Sequence, residues 1–385
     1  MSEELDKAAN RVFKRAEKVS DSFEENLKVL ESPTDLITNY TKDDLISTGS
    51  TLLNLACSGM WEGGYYLGSE VHLKGDPSTG KSLLALTIMA EAVSDPRFDG
   101  YDLKYIELES AMHFNLEEIF GPKIKRVEII PDNEHKGNYT TINWENDHQV
   151  FMKGGKPIIS VTDSWDSLPL PEDLIVKKIK ETEDGEEPKA SKGGWKTGKA
   201  ILASEGFRKT IARIGKTKSV SLVLSQTRQN LKQGFGQPEK TTSGGDAIRF
   251  YATHAVGLYF GAAINIDVRG KKRRVGSYVY LDVDKNKLTG KRRKVKIAIY
   301  DAYGIDDLQS MIEWMRDENF WGNDRGRINT EGDLGLNKTY YIKDMIKYIE
   351  DENKEDELRQ IVGQCWNDLE NEIMESISGR KPRYR

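Results

Sequence analysis

Apolar residues along the chain change their spacing more than once, and each change predicts a different kind of element. Between residues 3 and 31, Ala9, Val12, Phe13, Ala16, Val19, Phe23, Leu27 and Leu30 recur largely at steps of three and four among Lys and Glu, the spacing of an amphipathic helix. Pro33 closes it, and Leu36-Ile37-Thr38 suits a short strand. From about residue 46, short apolar runs alternate with longer helical stretches. Val71–Leu73, Tyr105–Leu108, Val127–Ile130, Ile158–Val161, Ser221–Leu224 and Ala255–Phe260 read as strands. Ser82–Val93 and Lys199–Ile214 are the clearest helices between them. Such alternation predicts βαβ units and an α/β fold with a mostly parallel, buried sheet. After Gly257, two or three alternating strands joined by basic turns read as an antiparallel extension. From about 305 the chain turns helical and acidic, with Leu358, Ile361, Val362, Cys365, Trp366, Leu369, Ile373 and Ile377 forming one apolar stripe. The expected organisation is an N-terminal helical segment (1–45), an α/β core (46–305) and a small, mostly helical C-terminal region (306–385).

Composition narrows the class. With 37% hydrophobic and 31% charged residues among 385, the chain suits a folded protein and not a disordered one. Cys57 and Cys365 cannot build a disulfide framework and lie too far apart for a compact zinc motif, so both read as small core residues. The first thirty residues are charged throughout, and no stretch approaches the ~20 apolar residues of a membrane span. The expectation is a soluble, intracellular protein with no membrane partner. Lys+Arg 57 against Asp+Glu 62 gives a net charge of -5, which excludes a uniformly basic nucleic-acid binder. The basic residues nevertheless concentrate in polar segments near 171–198 and 227–245, in turns near 271 and 291, and in the tail Arg380-Lys381-Pro382-Arg383-Tyr384-Arg385. Loops as long as those two segments are uncommon without a function.

Gly75-Asp76-Pro77-Ser78-Thr79-Gly80-Lys81-Ser82 matches G-x-x-x-x-G-K-[ST] in full, between an apolar strand and a helix. Its glycines let backbone N–H groups wrap phosphates, Lys81 would neutralise the β- and γ-phosphates, and the Ser82 hydroxyl would ligate Mg²⁺. Ile158-Ile159-Ser160-Val161-Thr162-Asp163 is an apolar strand ending in an acid, which would set Asp163 beside that metal. Glu109 closes the alternating run Tyr105-Ile106-Glu107-Leu108-Glu109, where a carboxylate would hold the attacking water, and Gln226 ends another strand, where its amide would sense the γ-phosphate. Taken singly, each is equally an ordinary solvated residue. Their coincidence at four strand ends of one sheet separates the two readings. ATP with Mg²⁺ is therefore the expected cofactor pair.

At this point the residues resemble the RecA-type recombinases, over roughly 46–305. Ile46-Ser47-Thr48-Gly49-Ser50 is similar to the family's approach to its phosphate loop, Glu109 matches its catalytic glutamate, and Asp163-Ser164 its Asp-Ser pair. Leu224-Ser225-Gln226-Thr227-Arg228 matches the strand whose glutamine is its nucleotide switch, and Thr241–Ala252 follows its second DNA loop. The resemblance implies a RecA-type P-loop ATPase core and a DNA-dependent ATPase. It also implies catalytic roles for Lys81, Glu109 and Gln226, and for Lys285 and Lys287, which would reach the ATP of the next subunit as an arginine finger does. Without the family, that lysine pair reads as a solvated basic turn. Residues 1–45 would then carry the polymerisation segment, although no unambiguous motif stands near 30–45.

Through the same resemblance, 171–198 and 227–243 fall at the first and second DNA loops. The first offers Lys192, Trp195, Lys196 and Lys199; the second offers Arg228, Lys232 and Phe235, followed by Gly244 and Gly245 at a helix start. Trp195 and Phe235 suit wedges near bases, the lesser alternative being that they anchor their loops. Lys271–Arg274 and Lys291–Lys294 are further basic candidates, or solvated hairpin tips. The longer first loop and the basic tail make the chain more similar to phage RecA-like (UvsX-like) recombinases than to cellular ones. The expected function is ATP-dependent homologous recombination and repair. Filaments on single-stranded DNA would pair with homologous duplex DNA in the cytoplasm, that of a bacterial host if phage-encoded, assisted by a single-strand-binding protein and a loading mediator. The rivals are a ring-forming RecA-fold helicase and a DNA-annealing protein that binds ATP without turnover.

Overall fold

The computed structural model describes residues 40–109, 112, 115–131, 139–168, 206–229, 240–242 and 246–377. Strands β1 (Leu45–Ile46) and β2 (Tyr65–Tyr66) pair antiparallel beside helix α1 (Thr51–Ser58). The main sheet is built from β3 (Ser69–Gly75), β4 (Asp102–Glu107), β5 (Glu128–Pro131), β6 (Ile158–Asp163), β7 (Val220–Gln229), β8 (Lys240–Thr242), β9 (His254–Val268), β10 (Lys271–Asn286), β11 (Lys294–Tyr300) and β12 (Gly304–Asp306). Its order is β12-β11-β10-β9-β3-β7-β6-β4-β5, with β8 paired to β7. From β9 to β5 every pairing is parallel; from β9 to β12 every pairing is antiparallel. The expected α/β fold, with its mostly parallel sheet and antiparallel extension, is what the chain adopts.

The apolar runs explain the parallel half. Val71, Leu73, Val161, Leu222 and Leu224 are buried because helices cover both faces of the sheet. Helix α2 (Lys81–Ser94) presses Leu84, Ala85, Ile88 and Met89 into the core that contains these residues. A second core forms from Ile106, Val223, Phe207, Ile248, Trp144 and Trp165. Helix α3 (Leu116–Phe120) packs Leu116 and Phe120 against the first core, while the second draws on α4 (Thr141–Phe151), α5 (residues 206–217) and α6 (Asp246–Tyr251), which supply Trp144, Phe207 and Ile248. Trp144 and Trp165 meet edge to face at 5.3 Å, and the Trp144 indole N–H donates to Thr162 Oγ1 at 2.8 Å. This cluster fixes the end of β6, where Asp163 sits.

Beyond the sheet, α7 (Asp307–Asp317), α8 (Ile342–Asp351) and α9 (Glu355–Ile377) pack around Trp314, Trp366, Met345 and Leu358. The apolar stripe expected on α9 is buried at Leu358, Val362 and Trp366 and runs out into solvent at Ile377. Asp307 ties this region to the core: its carboxylate accepts from the Thr51 N–H and Oγ1, both at 2.7 Å. Because burial also isolates that N–H, Asp307→Ala is expected to cost about 2 kcal/mol of stability, read as a lowered denaturant midpoint at unchanged slope.

Three segments differ from the sequence expectation. β4 stops at Glu107, so Glu109 stands two residues past the strand, in a bend. β7 runs on to Gln229 and pairs with β8 (Thr227 opposite Thr242, Gln229 opposite Lys240), so part of 227–245 is a two-stranded ribbon and not loop. Polar residues carry no burial period, which is why backbone pairing there is silent in the sequence. β9 and β10 reach 15 and 16 residues and project beyond the sheet, with all of 265–274 exposed. Arg269 and Gly270 turn this ribbon with φ of 57° and 69°, the backbone that a two-residue hairpin requires. Residues 1–39 and the tail from 378 lie outside the described residues, including the expected N-terminal helix and strand.

Candidate phosphate and water-activation site

The phosphate loop leaves β3 at Gly75 and enters α2 at Lys81. A Cβ on Gly75 would lie 2.6 Å from the Leu258 carbonyl oxygen and 2.8 Å from Thr79 Oγ1, so the close packing of loop on β9 admits only glycine. Gly80 stands at φ +87°, the left-handed conformation that turns the loop into the helix. Thr79 Oγ1 donates to the Asp76 carbonyl at 2.8 Å and stiffens the curve. Lys81 folds back into the loop, its ammonium donating to the carbonyls of Gly75 (3.0 Å) and Asp76 (2.8 Å). Burial lowers its pKa, opposed by the nearby carboxylates of Asp163, Glu109, Asp166 and Asp76.

Three further strand ends converge on this loop because the sheet order sets β3, β7, β6 and β4 side by side. Asp163 ends β6, 8% exposed, and its Oδ2 accepts from the Tyr105 hydroxyl at 2.7 Å. Burial raises its pKa, while hydrogen bonds from Ser82 and Tyr105 pull it back. Ser82 and Asp163 thus meet, as expected of a metal pair. A half-compensated buried carboxylate beside a hydroxyl suits a hard divalent cation. Among the described residues no cluster of three or more His, Cys, Asp or Glu could hold a metal, so such an ion would take its other ligands from phosphate and water.

Glu109 and Gln226 also meet. The Gln226 amide donates to Glu109 Oε1 at 2.9 Å, and Ser164 Oγ donates to the same oxygen at 2.5 Å. The Gln226 backbone N–H donates to Asp166 Oδ2 at 2.7 Å, which fixes where β7 passes the end of β6. Tyr105 and Asp166, and the donor role of Ser164, escape sequence reasoning. Tyr105 shares the strand alternation of Glu107 but reaches Asp163 only because β4 pairs with β6, and no local pattern encodes that pairing.

Lys285 and Lys287 stand elsewhere. Both ammonium groups donate to the carbonyl of Phe250, at 2.8 and 3.3 Å, and Lys285 also to that of Arg249, so they cap the C-terminal end of α6. The register sets Asn286 opposite His254 and His254 opposite Val71. The pair therefore lies at the far end of β3, about 13 Å along the strand from Gly75. Burial, then the charges of Lys287 and Arg249, lower the Lys285 pKa to about 8.

Of the basic clusters, Lys271–Arg274 is solvent-exposed at the ribbon tip, with Arg274 over the Phe260 ring at 5.5 Å. In the other, Lys291 and Arg293 are ion-paired to Glu370 on α9 and serve the fold. Arg228 lies in β7 opposite Thr241. Lys192, Trp195, Lys196, Lys199, Lys232, Phe235, Gly244 and Gly245 lie outside the described residues. No helix among the described residues is long and apolar enough to cross a membrane.

The model of the RecA N-terminal domain matches residues 174–306. The RecA protein of Thermus thermophilus is 27% identical over 277 residues, 70% of either chain. That of Lactiplantibacillus pentosus is 27% identical over 305 residues, 74% of this chain and 71% of its own. These likenesses support the RecA family, and the mixed α/β architecture with its large, mostly parallel sheet is consistent with a RecA-type core.

Proposed function

We propose that the chain is a DNA-dependent ATPase that forms helical filaments on single-stranded DNA, of the phage RecA-like kind, and uses them to pair and exchange strands with homologous duplex DNA. One observation carries the reading: the phosphate loop, Asp163, Glu109 and Gln226 converge from four adjacent strands, and Gln226 touches Glu109 directly. That contact joins the group that would orient water to the strand that enters the expected second DNA loop, 227–243. Turnover and DNA affinity are then coupled by differential binding.

In this reading Lys81 leaves the loop carbonyls for the β- and γ-phosphates, and the backbone N–H groups of 77–82 cradle them. Ser82 and Asp163 would hold Mg²⁺, which supplies charge neutralisation at the phosphate oxygens. Glu109 orients the attacking water, held on line by Ser164 and Gln226. Lys285 and Lys287, remote from their own loop, serve the loop of the next subunit and stabilise charge on the transferring group. Lys192, Trp195, Lys196, Lys199, Arg228, Lys232, Phe235, Gly244 and Gly245 supply cations, stacking surfaces and backbone amides to the strand. A single-strand-binding protein and a loading mediator would assist in the cytoplasm.

The test is ATP hydrolysis with and without single-stranded DNA, with electron microscopy of the same sample. Stimulated hydrolysis with filaments supports the reading. Closed rings without filaments would replace it with a helicase-type motor, and background turnover would replace it with an ATP-liganded annealing protein.

A pH dependence follows from Lys285. Its ammonium is charged below about 8 and is lost as pH rises through that value. DNA-stimulated turnover is therefore expected to fall between pH 7 and 9, and Lys285→Arg, which stays charged, should flatten that limb. An alkaline limb identical in the arginine variant would remove Lys285 from the mechanism.

A further inference from the structure

Gln226 is not the only residue of β7 that touches the nucleotide site. The next residue, Thr227, turns its side chain to the other side of the strand and donates its hydroxyl to Asp76 Oδ1 in the phosphate loop. Both side chains are half-buried. Asp76 is also the residue whose carbonyl accepts from Lys81 and Thr79. One loop residue thus holds the phosphate-binding lysine by its backbone and β7 by its side chain.

We propose that the Asp76–Thr227 contact is a second coupling between the phosphate loop and the β7–β8 ribbon, acting in parallel with Gln226; Thr227 is a positioning residue, and the inference rests on the function proposed above.

The chemistry of the loop supports it. A carboxylate in a phosphate-binding turn stands beside the place where a polyanion must enter, and like charges this close repel strongly in a half-buried site. The Thr227 hydroxyl ties that carboxylate to β7. When phosphates draw Lys81 off the Asp76 carbonyl, that carbonyl loses one of its two donors and keeps the Thr79 hydroxyl, so the hold on the Asp76 backbone changes. Its side chain then carries the change to Thr227, which opens the β7 side of the ribbon opposite Thr242. Gln226 reads the same event from the other side, through Glu109. Two side chains from consecutive residues, pointing oppositely, pin one strand to two parts of the site and leave little freedom for the ribbon to ignore the nucleotide state.

The experiment uses the full chain and a labelled oligo(dT). Its affinity is measured with and without a saturating non-hydrolysable ATP analogue. In the wild type the analogue raises affinity. Thr227→Val keeps the branched shape and removes the donor, and is expected to reduce that rise about tenfold, whereas Thr227→Ser retains it. Asp76→Asn keeps an acceptor but loses the charge, and should reduce the rise about threefold. The double variant Asp76→Asn/Thr227→Val should be no worse than Thr227→Val alone. A rise unchanged in Thr227→Val, an equal loss in Thr227→Ser, or additive losses in the double variant would overturn the coupling. If the valine variant fails to fold, Asp76→Asn decides, and an unchanged rise there overturns it. A wild type whose DNA affinity ignores the analogue would overturn the proposed function and this coupling together, whereas a wild-type rise that Thr227→Val leaves unchanged overturns the coupling alone.

Discussion

Replacing Lys81 with alanine is expected to lower ATP turnover by at least about a hundredfold, with or without DNA, because no other described cation lies in the phosphate loop. The structure explains why the loss should be chemical and not structural. The ammonium bonds only to carbonyls of its own loop here, and burial opposes its charge. Removing it leaves the buried Gly75 carbonyl and the part-buried Asp76 carbonyl without that donor, a cost of about 2 kcal/mol, so the thermal midpoint should move by only a few degrees. Turnover by stopped assay and melting by circular dichroism, measured on one preparation, check both halves. A variant that melts normally and hydrolyses normally would remove the phosphate loop from the mechanism.

Glu109→Gln should separate binding from turnover. A glutamine carbonyl can still accept from Ser164 and Gln226, so the bonds at 2.5 and 2.9 Å survive while the charge is lost. Nucleotide binding is expected to stay within a few fold. Turnover is expected to fall by about 10² to 10³, since the carboxylate is the group that orients and polarises water. ATP then persists on the protein, and single-stranded DNA should dissociate more slowly with ATP than it does from the wild type. Bound nucleotide analysed after gel filtration, beside DNA dissociation kinetics, reads the separation. Turnover within threefold of the wild type would assign water activation to another group.

How far the sequence carries this account depends on whether a feature is local. The octapeptide Gly75–Ser82 is contiguous, and its strand and helix have their own apolar periods, so its geometry is readable from residues alone. Asp163 and Gln226 are nearly so, because an apolar run followed by a polar residue marks a strand end. The order in which strands stand side by side is not local. Tyr105 meets Asp163, and Asp166 meets the Gln226 N–H, only through that order. Polar pairing in the β7–β8 ribbon leaves no burial signature. The bend that carries Glu109 past β4 shifts a residue that alternation alone would leave in the strand. The lysines at 285 and 287 show the opposite case. Their spacing resembles that of a family and says nothing of distance, whereas the strand register separates them from their own phosphate loop.

That separation has an arithmetic consequence for any assembly in which the lysines complete a neighbour's site. Phosphate loop and lysine pair lie at opposite strand-end edges of the same sheet, so the contact they make is head to tail and does not close on itself as a two-fold dimer would. An open row of n subunits then holds n minus one complete sites. An isolated subunit holds none. Activity per subunit would start near zero, climb steeply as short rows lengthen and level off in long ones. A lag that shortens with protein concentration is the kinetic face of that geometry.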